Sequence, residues 1–292
     1  MTLSPAAPDR RRHLVLPEGR RVGWTEWGSP RATPVLFCTG AGMSGTLGLG
    51  ADVLQALGVR LLCVDRAGLG GSAPDPDKSL ERYARDVAAV LRAEELVRPP
   101  VLGFSQGAPF AVALAGAGLV SAVALVSGQD ELAHPSTKRL LPPEVAAMVT
   151  AIETDRAGFE AAFTPRVDAE GLWGLVLGMS AAEDRAHYEA PAFAAAYRAS
   201  LAEGFAQGPG GYVRDLTLAM GRWPTRPETL SLPVSLWYGG RDTSPVHSPD
   251  HGATLASRFP NATRHVLAEE GSALLWTRAR DILLELLARR GG

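Results

Sequence analysis

The chain has 292 residues, 46% of them hydrophobic and 21% charged, a composition ordinary for a globular protein with a full core. Its formal net charge of −2 provides no long-range field to recruit nucleic acid or an anionic membrane surface. No window approaches 18 uninterrupted apolar residues, and residues 1–21 hold no continuous apolar stretch, so neither an ordinary transmembrane helix nor a secretory signal is expected. A cytoplasmic protein is expected. The two cysteines, Cys38 and Cys63, each sit in an apolar β-type run, so buried core thiols are expected rather than a disulfide. Neither has a partner at metal-ligand spacing, and no metal or cofactor is expected. Basic runs at Arg10 to Arg12 and at Arg289 with Arg290 lie near the termini and are expected to be solvated tails.

In chain order, residues 13–27 contain two β-type runs around Pro17-Glu18-Gly19, which predicts an opening hairpin. Short apolar runs follow at Val35 to Cys38, Arg60 to Val64, Val101 to Phe104 and Ala122 to Val126, as expected of parallel strands covered on both faces. Between the second and third of these, Leu80, Tyr83, Val87, Val90 and Leu91 recur at helical spacing after a candidate N-cap, Ser79. From about residue 131 to 230 strand runs disappear. Ala-rich helical segments take their place, such as 144–163 and 191–206, broken by prolines and glycines. Strand patterns resume at Val234 to Tyr238 and Thr263 to Leu267, each followed by a helix. The predicted fold is α/β, a mostly parallel sheet with helices on both faces plus a helical cap. Residues 1–130 and 231–292 form the core and 131–230 the cap. No internal repeat or low-complexity tract is present.

The decisive pentapeptide is Gly103-Phe104-Ser105-Gln106-Gly107. It follows the run Val101-Leu102 directly and precedes a helical pattern from Ala108 to Ala117, the strand–turn–helix context that a G-x-S-x-G nucleophile elbow requires. Here the chain resembles the α/β-hydrolase fold superfamily over nearly its whole length apart from the cap. Asp65-Arg66-Ala67-Gly68-Leu69-Gly70-Gly71-Ser72 is similar to that family's D-x-x-G-x-G-x-S loop, which implies structural roles for Asp65 and Ser72. Phe37 to Gly42 is similar to its oxyanion loop, with Thr39 where a histidine is common. The resemblance implies Ser105 as nucleophile and the backbone N–H groups of Gln106 and Ala41 as an oxyanion hole.

By the same resemblance the acid is Asp242, in the loop Trp237-Tyr238-Gly239-Gly240-Arg241-Asp242. The histidine should follow the last strand, but Ser272 of Ala268-Glu269-Glu270-Gly271-Ser272 occupies its position. A serine hydroxyl cannot accept a proton near neutral pH, so the triad is incomplete as aligned. Three explanations stand open: another histidine has taken over, the serine is an engineered replacement that traps a ligand, or the scaffold does other chemistry. Among His13, His134, His187, His247, His251 and His265, the best replacement is His247, five residues after Asp242 in Pro245-Val246-His247-Ser248-Pro249. Of the rest, His134 and His187 are cap residues that could touch substrate, and His251 is expected on the helix after Asp242. Five residues allow His247 and Asp242 to meet only if the loop folds back, and a proline on each side limits that freedom. The expectation is that the geometry fails and Ser105 lacks a direct base, so that Ser272→His would raise esterase activity at least about 10²-fold.

The function expected is hydrolase-type action on an ester, lactone or related acyl compound in an apolar pocket. The alternatives are a non-hydrolytic cyclase or lyase and a catalytically silent small-molecule-binding protein. A small apolar acyl-type substrate is the expected partner, with neither nucleic acid nor membrane. Candidate pocket walls in the cap are Trp173, Met179, Phe193, Tyr197, Phe205 and Tyr212, with Met220 and Trp223.

Overall fold

The computed structural model describes residues 6–290; the extreme ends of the expected core, 1–5 and 291–292, lie outside the described residues. Arg10–Val15 (β1) and Arg21–Trp27 (β2) form the opening antiparallel hairpin. Its turn depends on Gly19, whose φ of 86° is open to a residue without a Cβ. The remaining strands are Thr33–Cys38 (β3), Val59–Val64 (β4), Val101–Phe104 (β5), Val123–Val126 (β6), Val234–Gly239 (β7) and Ala262–Leu267 (β8). They make one eight-stranded sheet in the order β1-β2-β4-β3-β5-β6-β7-β8, parallel from β4 to β8. Strands β4 to β7 are apolar throughout, apart from Arg60 and Ser235, because helices cover both faces and leave no side to water. From β3 the chain crosses to β4 on one side, and later enters β5 on the other. The loops after β3 and β5 therefore part at their carboxyl ends, and that crevice is where open α/β sheets bind ligands.

One apolar cluster, with Val87, Phe110 and Leu114, lies under the helices Leu80–Ala93 and Ala108–Gly116. The first of these starts where expected, at Ser79, whose side chain accepts the Arg82 N–H at 3.2 Å. A second cluster, with Phe37, Leu102 and Ile282, continues without interruption into Trp173, Phe193 and Tyr197 of the helices between β6 and β7. Those cap-like helices include Pro143–Thr154, Arg156–Phe163, Ala169–Met179, Ala182–Tyr188, Pro191–Gly204 and Gly210–Met220. The single segment predicted over 144–163 is two helices. Asp155 leaves helical geometry (ψ 84°) and caps the second by accepting the Gly158 N–H at 2.9 Å.

The basic run Arg10 to Arg12 is an edge strand and not a solvated tail. Arg10 pairs with Glu26 at 3.0 Å, Arg11 with Glu203 at 2.6 Å and Arg12 with Glu94 at 2.7 Å, and charged side chains on an edge discourage pairing with another chain. Arg289 pairs with Glu285 at 2.6 Å. His251 precedes the helix Ala253–Arg258 and is not part of it, since its φ of 51° ends any helical run there. Cys38 and Cys63 are buried and free. Burial pushes the Cys38 thiol up to about 11, which leaves little thiolate at neutral pH. Among the described residues no helix is long and apolar enough to cross a membrane.

Candidate active site

Ser105 stands at the turn between β5 and the helix Ala108–Gly116, with φ at 50°. A non-glycine residue in this region costs on the order of 1–3 kcal/mol, and it persists only where the surroundings enforce it. They do so through the two flanking glycines. A Cβ on Gly107 would collide with the Cys38 carbonyl of β3, and one on Gly103 would come within 2.9 Å of Ala111 and 3.1 Å of the Gly107 carbonyl. Bare glycines let strand and helix close on each other, and the tight turn then lifts the serine side chain out of the sheet. The Ser105 carbonyl is pinned by the Gln129 N–H at 3.0 Å. The Gln106 N–H belongs to the first turn of a helical segment, where backbone donors have no intrahelical acceptor.

An imidazole is brought to Ser105 by the loop after β7. Ser105 Oγ lies 2.8 Å from His247 Nε2, and His247 Nδ1 lies 2.7 Å from Asp242 Oδ2. A carboxylate only accepts, so Nδ1 carries the proton toward Asp242 and Nε2 is free to accept from the serine hydroxyl. This overturns the expectation that the geometry fails and no imidazole reaches Ser105. Asp242 Oδ1 accepts the Ser244 N–H at 3.0 Å, the side-chain turn that short acidic residues make with backbone two positions on. A second bend follows, the His247 N–H donating to the Ser244 carbonyl at 3.3 Å. The Ser248 N–H then fastens the segment to the Gly128 carbonyl at 3.1 Å, beyond the end of β6. Pro245 lies inside the bend, where its fixed φ suits the turn.

Ser272, assigned to the base position by alignment, makes no hydrogen bond to Ser105 or Asp242. Its Oγ donates to Asp184 Oδ2 at 3.0 Å and lies 3.2 Å from the Tyr188 hydroxyl. Asp184 also accepts the N–H groups of Ser272 at 2.7 Å and Ala273 at 2.8 Å. Burial raises the Asp184 pKa, against the opposing pull of those bonds. A carboxylate from the inserted helices thus ties them to the loop after β8 where the family would have an imidazole. Ser272→His is therefore expected to leave ester turnover unraised. The ring must enter space already held by Asp184 and Tyr188, at a cost of about 1–3 kcal/mol in stability. Thermal melting and initial rates measure both effects, and a rate gain of 10²-fold would return the base to position 272.

Three of the other histidines are engaged elsewhere. His265 meets Glu285 at 2.9 Å and stacks on Trp237. His134 caps a short helix through Nδ1. His187 packs against Phe193, and neither it nor His134 lines the site cavity.

A cavity of about 250 Å³ opens over Ser105 and is bounded by Ala41, Gln106, His247 and Ser272 as well. Of the eight cap residues named from the sequence, Met179, Tyr197 and Tyr212 line it. Trp173, Phe193, Met220 and Trp223 are buried among other side chains instead. Phe205 does not line it either, and packs against Tyr212 at a ring separation of 5.4 Å. Sequence reasoning named Met179 but missed Leu172, Leu175 and Val176, which share its wall. Their i, i+3, i+4, i+7 spacing on the helix Ala169–Met179 was the available signal. Among the described residues no cluster of three or more His, Cys, Asp or Glu side chains is disposed to hold a metal ion.

The family model described as alpha/beta hydrolase fold matches residues 33–279. Among solved structures the chain is similar to a bromoperoxidase from Bacillus anthracis, at 19% identity over 96% of this chain and 100% of that one, TM-score 0.69. It is also similar to an esterase from Rhodococcus sp. ECU1013 (20% identity, 96% and 99% covered, TM-score 0.66). An enol-lactonase from Burkholderia xenovorans LB400 is a further match (17% identity, 95% and 100% covered, TM-score 0.66). No curated protein matches the chain. These structural likenesses carry the fold alone; with the family model spanning most of the sequence, the chain belongs to the α/β-hydrolase fold family.

Proposed function

We propose that the protein is a serine hydrolase acting on a small, largely apolar ester or lactone. The observation that carries this reading is the relay Ser105–His247–Asp242, at 2.8 and 2.7 Å, opening into an apolar cavity under the inserted helices, which act as a cap. In this mechanism the Ser105 hydroxyl gives its proton to His247 Nε2 as Oγ attacks the substrate carbonyl. The N–H groups of Gln106 and Ala41 receive the oxyanion. His247 returns the proton to the leaving alkoxide, and water then releases the acyl group by the same steps. The small cavity favours short acyl and alcohol parts. Two structural neighbours named for ester and lactone chemistry lend support. An imidazole 2.8 Å from the hydroxyl favours hydrolysis over the cyclase, lyase and binding-only readings.

The test is labelling by a fluorophosphonate together with hydrolysis of p-nitrophenyl esters of graded acyl length. One covalent adduct on Ser105, and loss of both labelling and turnover in Ser105→Ala, are expected. Absence of labelling and of turnover at every chain length would overturn the reading.

A further inference from the structure

We propose that Arg66 is a positioning residue that sets the oxyanion hole, and that the inserted helices hold it in place through Asp215. This inference rests on the serine-hydrolase reading. Arg66 is 2% exposed, yet every edge of its guanidinium is engaged. Nη1 donates to the Thr39 carbonyl at 2.7 Å, Nη2 to the Gly40 carbonyl at 2.7 Å and Nε to Asp215 Oδ2 at 2.8 Å. One face lies 4.8 Å from the ring centroid of Phe110, on the helix that follows the nucleophile.

The Gly40 contact matters because the Gly40 carbonyl and the Ala41 N–H belong to one peptide unit. In a trans peptide the two point in opposite directions. A donor fixed on the carbonyl therefore fixes the N–H on the far side, and Ala41 lines the cavity with Ser105. The loop has freedom that needs restraint: Gly40 lacks a side chain, and Gly42 has φ at 65°. An arginine suits the task better than a lysine, since its planar fork can span two successive carbonyls while Nε serves a third partner.

Asp215 explains how a buried guanidinium is tolerated. It is fully buried on the helix Gly210–Met220 and pairs with both Arg66 and Lys78, the latter at 2.6 Å. Buried charges need such partners. The Lys78 ammonium also donates to the carbonyls of Ala67 and Gly211 at 2.7 and 2.9 Å. The inserted helices are thereby joined to the loop after β4 and, through Arg66, to the loop after β3. Removing Arg66 leaves Lys78 and Asp215 as a matched pair, so the variant does not strand a buried charge.

The test compares Arg66→Met and Arg66→Lys with the wild type in three readouts: ester kinetics, affinity for a boronic acid that forms a tetrahedral adduct on Ser105, and crystal structure. Arg66→Met is expected to lower kcat about 10²-fold, the scale of one lost oxyanion donor, with KM within threefold. Boronate affinity should fall in proportion, and the Gly40–Ala41 peptide should be turned away. Arg66→Lys, which cannot span both carbonyls, is expected to lose about tenfold in kcat, and it stands in for Arg66→Met should that variant not fold. A kcat within threefold of wild type, a loss confined to KM, or an unmoved peptide would overturn the proposal. Peptide orientation is read whether or not esters are turned over, so an inactive wild type would sink the hydrolase reading and still leave the Arg66 assignment decided.

Discussion

His247→Ala is expected to lower kcat for ester hydrolysis by roughly 10⁶-fold, the scale seen when the histidine of a Ser-His-Asp relay is removed from a serine protease. The argument runs through what remains near Ser105. The Ser105 hydroxyl loses the nitrogen 2.8 Å away that takes its proton. Ser272 cannot substitute, because its hydroxyl is bound to Asp184 and is no base at neutral pH. Of the other histidines, His265 pairs with Glu285 and stacks on Trp237, His187 packs against Phe193, and none lines the cavity. What survives is the oxyanion hole and ground-state binding, so KM should change little while kcat falls. Steady-state kinetics on the best p-nitrophenyl ester measures this, with fluorophosphonate labelling as a second readout that should slow in parallel. Full activity in the variant would remove His247 from the mechanism.

Why Ser105 could be read from the sequence outright, while His247 was named only as the best replacement in a loop expected not to deliver it, is a matter of where the information lies. Ser105 is specified locally: five consecutive residues dictate a turn that only glycines at 103 and 107 permit, between a strand and a helix each visible in its own pattern. Asp242 is nearly as local, at the end of β7. His247 depends on a chain reversal set by one side-chain-to-backbone bond, Asp242 to the Ser244 N–H, and by docking of Ser248 against Gly128. The second of these links residues 120 positions apart and leaves no periodic trace. The Asp-x-Ser-Pro stretch is a turn signal, though one that names no destination for the histidine. Asp184 meeting Ser272 is equally non-local. The wall of the cavity lies between these extremes. The stripe from Leu172 to Met179 was legible as a helix face, but a stripe alone does not distinguish pocket wall from buried core.

Asp242→Asn is expected to lower kcat about 10⁴-fold with little change in KM, the scale found when the aspartate of such a relay is amidated. The two carboxylate oxygens of Asp242 have different tasks. Oδ1 accepts the Ser244 N–H and keeps the loop folded back, while Oδ2 accepts from His247 Nδ1. Asparagine has one acceptor oxygen, so either orientation of its amide fails one partner. If the oxygen faces Ser244, the amide nitrogen confronts His247 and can be satisfied only when Nδ1 gives up its proton. Nε2 then carries that proton and cannot take one from Ser105. If the oxygen faces His247 instead, the Ser244 N–H meets another donor and the bend that delivers the imidazole loosens. The tautomer route, the one expected, acts on proton transfer alone, so kcat and kcat/KM should fall together; the loop route also moves Ser244 to His247, which line the cavity, and would raise KM as well. The two are separated by the crystal structure of the variant. An unchanged loop with His247 in place indicates the tautomer route, and a displaced His247 indicates the loop. A kcat within tenfold of wild type would show that Asp242 neither orients the histidine nor sets its proton.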